Sequence, residues 1–94
     1  MQIPEIRREI DSIDAELLAL FLKRMELARQ IGKLKEEAGL EIYNPAREQE
    51  ILAKVRETAP KELSSYAELL FSTLFELSRS YQKNNAATNG TTSK

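Results

Sequence analysis

The sequence predicts an all-α chain of three helices, the first long enough to intertwine with that of a second copy in a homodimeric helical bundle. Three observations predict this. Apolar residues recur three and four residues apart over long stretches, the period of a helix rather than a strand. Leu, Glu, Ala, Lys and Arg, strong helix formers, fill the space between them. Punctuation is sparse, with 3 glycines and 3 prolines in the whole chain, so few breaks are available.

The first helix is read over 4–38. Ile3, Ile6, Ile10, Ile13, Leu17, Leu20, Arg24, Leu27, Ile31 and Leu34 form a heptad-like stripe about four heptads long. Pro4 suits a first turn and Gly39 a C-terminal cap. Gly32 lies inside the helix and costs about 1 kcal/mol relative to alanine. Length then bears on assembly. Some 35 helical residues span roughly 52 Å, whereas a compact chain of this size has a radius of gyration near 12 Å and a diameter of roughly 30 Å. The helix therefore overhangs its own globule and bares an apolar stripe, which a second chain covers most economically.

Asn44 before Pro45 reads as an N-cap followed by proline at the first helical position. The second helix is placed at 45–57, with Ile51, Leu52 and Val55 as its apolar side. Pro60 opens the third, at 60–83, whose stripe is Leu63, Ala67, Leu70, Leu74, Leu77 and Tyr81. Residues 1–84 make one domain. The small polar stretch 85–94 is expected to be a disordered tail or the start of a linker.

Composition removes several function classes. A net charge of −1 gives no basic excess for nucleic acid. Without cysteine there is no disulfide or thiolate chemistry, and without histidine the commonest general base and metal ligand are gone. Neither a metal nor a cofactor is expected. No apolar run nears the ~20 residues that cross a bilayer. The charged opening MQIPEIRREI is unlike a signal peptide, so a cytoplasmic protein is expected.

Polar residues interrupt the stripes at a few places. Arg24 takes a stripe position, and an arginine there needs an anion. Lys35 follows three turns on, with the small Ala28 and Gly32 between them. Two cations flanking a notch of small residues suit an anion pocket; an ion pair to a carboxylate of a partner helix is the competing reading. Ser78 and Gln82, an i, i+4 pair, follow the apolar Phe71, Leu74 and Phe75. Taken singly they read as a helix emerging into solvent near its end; only together with the other polar residues do they suggest a site. Arg47 and Glu48 fall in the first turn of the second helix, where Glu48 favours the helix dipole and Arg47 is solvated. Arg7 and Arg8 read as surface charge.

Taken in order, these residues resemble the all-helical class of chorismate mutase. The likeness rests on Arg7 and Asp14, on LLALFLKRMELARQIGKLK with Arg24 and Lys35, on NPARE at 44–48, and on Ser78 with Gln82. It covers about residues 3–84. It implies three helices per chain and an interlocked dimer with two shared sites. By the same resemblance Arg24 holds one chorismate carboxylate and Arg7 of the other chain holds the second. Lys35 and Gln82 reach the ether oxygen, Glu48 accepts the ring hydroxyl, and Arg47 and Ser78 line the carboxylate end. Asn44 departs from the aspartate usual in the family, though its contact there is through the backbone.

That chemistry suits a chain without histidine or cysteine. The Claisen rearrangement of chorismate to prephenate is pericyclic and needs restraint and charge complementarity rather than a nucleophile. Three other readings stand beside it: an isochorismate pyruvate-lyase on the same scaffold, a non-catalytic regulatory binding domain of a shikimate-pathway enzyme, and a plain structural dimer with Arg24 and Lys35 in ion pairs.

Overall fold

The computed structural model describes residues 2–91, with side chains described through Asn85. Its elements are α1 (Ile3–Ala38), α2 (Pro45–Thr58), a 3-10 turn (Lys61–Leu63) and α3 (Ser64–Thr91). Among the described residues there is no strand.

Each boundary has a local cause. At the start of α1 the Gln2 amide donates to Glu5 Oε1 at 2.7 Å, closing a capping box. At its end Gly39 takes the left-handed conformation, φ 72° and ψ 23°, where a side chain is strained. The Leu40 N–H then reaches back to the Lys35 carbonyl at 2.8 Å. Asn44 Oδ1 accepts the Arg47 N–H at 3.1 Å and caps α2, which starts on Pro45 as its sequence predicts. The third helix starts later than Pro60. Pro60 is extended, with ψ 151°, and caps a tight turn closed by Leu63 N–H to the Pro60 carbonyl at 2.9 Å, which intervenes before α3.

At its other end α3 continues to Thr91, past the position 83 expected from its apolar stripe. Helix propagation adds a bond per residue at little cost, and Ala86 and Ala87 favour it. The expected tail at 85–94 thus begins as helix, and 92–94 lie outside the described residues.

The packing is that of one layer. α3 packs against α1 and against α2, while α1 and α2 scarcely meet. The molecule measures 55 × 32 × 14 Å, and 14 Å is little more than one helix diameter of about 10–12 Å. Its radius of gyration, 16.9 Å, exceeds the ~12 Å of a compact globule this long. Ala28 and Phe75 are the apolar residues that become buried among those described. A stable domain is built from at least two packed layers, and here the second layer is missing from the chain itself.

The stripe of α1 shows the same thing. Every described residue from Gln2 to Leu20 is exposed, and burial begins only at Phe21. Ile3, Ile6, Ile10, Ile13, Leu17, Leu20, Leu27, Ile31 and Leu34 keep between 42% and 65% of their surface. The stripe read for α3 also faces outward in part. Leu63, Leu70, Leu77 and Tyr81 are exposed, whereas Phe75, Ser78 and Gln82 are buried and Phe71 and Leu74 half-buried. α3 carries apolar residues on two faces, and its own chain covers the face that includes the polar pair. No helix of the described residues is long and apolar enough to cross a membrane.

Candidate active site

The buried patch of α1 is Ala28 and Gly32, the two small residues between Arg24 and Lys35. The notch they form is occupied by α3. A Cβ added at Gly32 meets Gln82 Cγ at 2.9 Å and Cβ at 3.0 Å, closer than packed carbons sit. Glycine is therefore needed here for close approach, and this is what offsets its cost in mid-helix. Gln82 is seated by the same contact: its Nε2 donates to the Ala28 carbonyl at 2.8 Å. One amide proton is used and the second remains for another acceptor.

Beside the notch, Arg24 Nη1 donates to Ser78 Oγ at 2.9 Å, and the guanidinium lies 5.8 Å from the centroid of Phe75. Ser78 Oγ in turn approaches Met25 Sδ at 3.9 Å. Ser78 and Gln82 each keep 8% of their surface, which decides against emergence into solvent. Ser78 holds Arg24, and Gln82 is anchored on the backbone of α1. Lys35 Nζ donates to the Ile42 carbonyl at 3.0 Å, tying the end of α1 to the segment that leads into α2. Two of its three protons stay available.

These groups converge on a cavity of about 350 Å³ between α1, α3 and the start of α2. Seven of the eight site candidates line it: Arg24, Lys35, Asn44, Arg47, Glu48, Ser78 and Gln82. Neither Arg24 nor Lys35 has a carboxylate partner among the described residues. Arg47 pairs with Glu50 at 2.6 Å on the exposed side of α2. The Asn44 side chain is spent on the helix cap.

Arg7 is the candidate that the fold does not bring in. It lies 17 residues before Arg24 on one continuous helix, about 25 Å away at 1.5 Å per residue. No rotamer closes that gap.

One residue at the cavity escaped the sequence reading. Arg79 donates to Glu48 Oε2, and its guanidinium lies 5.0 Å from the centroid of Tyr43. The available signal was its position three residues before Gln82, on nearly the same helix face. Its partner, 31 residues away in sequence, left no local trace.

A half-open cavity of this size with two uncompensated cations, a buried amide and a single lining carboxylate suits a small polyanion carrying a hydroxyl. Fold and cavity together define an all-helical protein with a cation-bearing cavity between its helices.

The comparisons narrow the class. The family described as chorismate mutase type II matches residues 6–83. The chain belongs to that family. It is 49% identical over 59 residues to the T-protein of Haemophilus influenzae, a stretch covering 63% of this chain and 16% of that protein. It is 46% identical over 54 residues to the bifunctional chorismate mutase/prephenate dehydratase of Aquifex aeolicus, covering 57% of this chain and 15% of that one. The matched stretch is thus about a sixth of the length of these relatives. A solved structure of chorismate mutase (form II) from Thermus thermophilus superposes with a TM-score of 0.83 at 32% identity, covering 88% of this chain and 96% of that one.

Proposed function

We propose that two copies of this chain form a cytoplasmic homodimer that rearranges chorismate to prephenate in two shared sites. The observation that carries this is the convergence of Arg24, Lys35, Glu48, Ser78 and Gln82 on one cavity while Arg7 stands about 25 Å away, nearly half the 55 Å length of the molecule. The homology with chorismate mutases supports the choice of substrate. The missing second layer supports the second copy.

In the reaction the ether C–O bond breaks as a C–C bond forms between the ends of the same molecule. No proton, metal or nucleophile takes part. The protein's task is to hold the reactive conformer and to balance charge. Arg24, steadied by Ser78 and Phe75, clamps one carboxylate, and Arg7 of the other copy clamps the second. Lys35 and the spare amide proton of Gln82 meet the ether oxygen, where negative charge grows as the bond breaks. Glu48 accepts the ring hydroxyl. Arg47 completes the cationic rim. Residues past 84 serve as a tail or linker.

The test is an assay of chorismate consumption by the purified chain, with the product identified as prephenate. Turnover together with a dimeric mass in solution supports the proposal. Absence of turnover, or release of pyruvate from isochorismate as the faster reaction, overturns it.

A further inference from the structure

Among the described residues, two ion pairs join α2 to α3. Arg56 and Glu68 meet at 2.8 Å with both side chains substantially exposed, at the end of α2 away from the cavity. Glu48 and Arg79 meet with 20% and 27% of their side-chain surface left, and both line the cavity. The two pairs differ in what they leave behind. Arg79 is held on two sides, by the Tyr43 ring and by Glu48 Oε2. Glu48 is held at Oε2 alone. Its Oε1 has no hydrogen-bond partner among the described residues, and a carboxylate oxygen accepts up to two bonds.

The alternatives open to Glu48 matter as much. It is the single carboxylate lining a cavity that also holds Arg24 and Lys35, neither paired to a carboxylate among the described residues. A carboxylate free to swing there is drawn to those cations and neutralises the charge meant for the ligand. Arg79 removes that freedom.

We propose that Arg79 is a positioning residue that holds one oxygen of Glu48 so that the other meets the ring hydroxyl of the ligand, and thereby sets the site's preference for a hydroxylated ring. This rests on the chorismate reading given above. Arg79 does its work through Glu48 and makes no bond to substrate. Tyr43 acts as the backstop that keeps the guanidinium in place.

The experiment compares two bicyclic dicarboxylate transition-state analogues, one with the ring hydroxyl and one without, on the wild-type dimer and on Arg79→Met, Arg79→Lys and Glu48→Gln. Wild type is expected to prefer the hydroxylated analogue about ten-fold or more, the worth of a hydrogen bond to a charged group. In Arg79→Met that ratio falls towards one, with affinity for the deoxy analogue little changed. Chorismate KM rises several-fold more than kcat falls. Arg79→Lys restores part of the ratio. Glu48→Gln loses it as well, and the double variant loses no more, since both substitutions break one unit. An unchanged ratio in Arg79→Met, with wild-type turnover intact, overturns the proposal alone. Equal loss of both analogues at unchanged helicity marks a purely structural pair and overturns it too. A wild type that neither turns over chorismate nor binds either analogue removes the chorismate reading and this proposal with it.

Discussion

The two halves of α1 carry the same apolar rhythm and meet different fates. From Phe21 to Ala38 the helix lies on α3, its small residues Ala28 and Gly32 buried and its cations Arg24 and Lys35 anchored. From Ile3 to Leu20 it touches nothing enough to bury one described side chain, although Ile3, Ile6, Ile10, Ile13, Leu17 and Leu20 continue the stripe. Period alone says that a face will be covered. It does not say by whom. The half that its own chain covers brings Arg24 and Lys35 to the cavity, and the half left bare carries Arg7.

The sharpest way to break this comparison is to make the bare half polar. Removing half the surface of a Leu or Ile from water is worth on the order of 1 kcal/mol, and a buried unpaired charge costs far more. Ile10→Asp with Leu17→Asp is expected to give monomers by light scattering and a loss of activity beyond about a hundred-fold. A dimer of normal activity would contradict the account. Within the covered half, Lys35 is the position whose loss is aimed at the chemistry. Lys35→Ala should lower kcat by about 10²–10³, the usual result of losing one donor to developing charge, while dimer mass and helicity stay. Near-wild-type turnover would remove Lys35 from its role.

Gly32→Ala tests the close approach of Gln82. Helix propensity gains up to about 1 kcal/mol, but the added methyl meets Gln82 at 2.9–3.0 Å and overpacking costs typically 1–3 kcal/mol. We expect a slightly lower melting temperature and a roughly ten-fold loss in kcat/KM as Gln82 shifts. A stabilised, fully active variant would show that the helices separate freely. The smallest effect concerns Glu26, on the exposed face of the covered half. Hydrogen bonds from Arg29 and then Gln30 lower the pKa of its carboxyl to about 2, below the ordinary 4.5. A depressed value means the native state favours the ionised form. That support is fully present above pH 4.5 and fades as pH falls towards 2. Acid unfolding of Glu26→Gln should lack this small contribution, and identical acid titrations would show that the pair does nothing in solution.

Much of this was legible in sequence, for identifiable reasons. Asn44, Pro45 and Gly39 act locally, so the boundaries they set were readable. The Arg24 to Lys35 pattern was readable because a cation on an apolar stripe is out of place. Ser78 and Gln82 were ambiguous, since polar residues late in a helix are ordinary; only contact with Ala28 and Arg24 shows them to be buried. Which face of α3 its own chain covers was not legible, as Leu70 and Leu77 are as apolar as Phe71 and Phe75 and hydropathy does not rank faces. Arg79 was invisible because its meaning depends on a partner 31 residues away.

The central claim is that each site is completed by the bare half of another copy, and mixing two inactive variants tests it directly. Arg7→Ala spoils the donated group and Arg24→Ala the receiving cavity. Each alone should be nearly inactive. Unfolded together in equal amounts and refolded, they should recover about a quarter of wild-type activity, because half the dimers are mixed and each of those has one intact site. If Arg7 serves its own chain, no mixture contains an intact site, and activity that stays at the level of the separate variants would contradict the account.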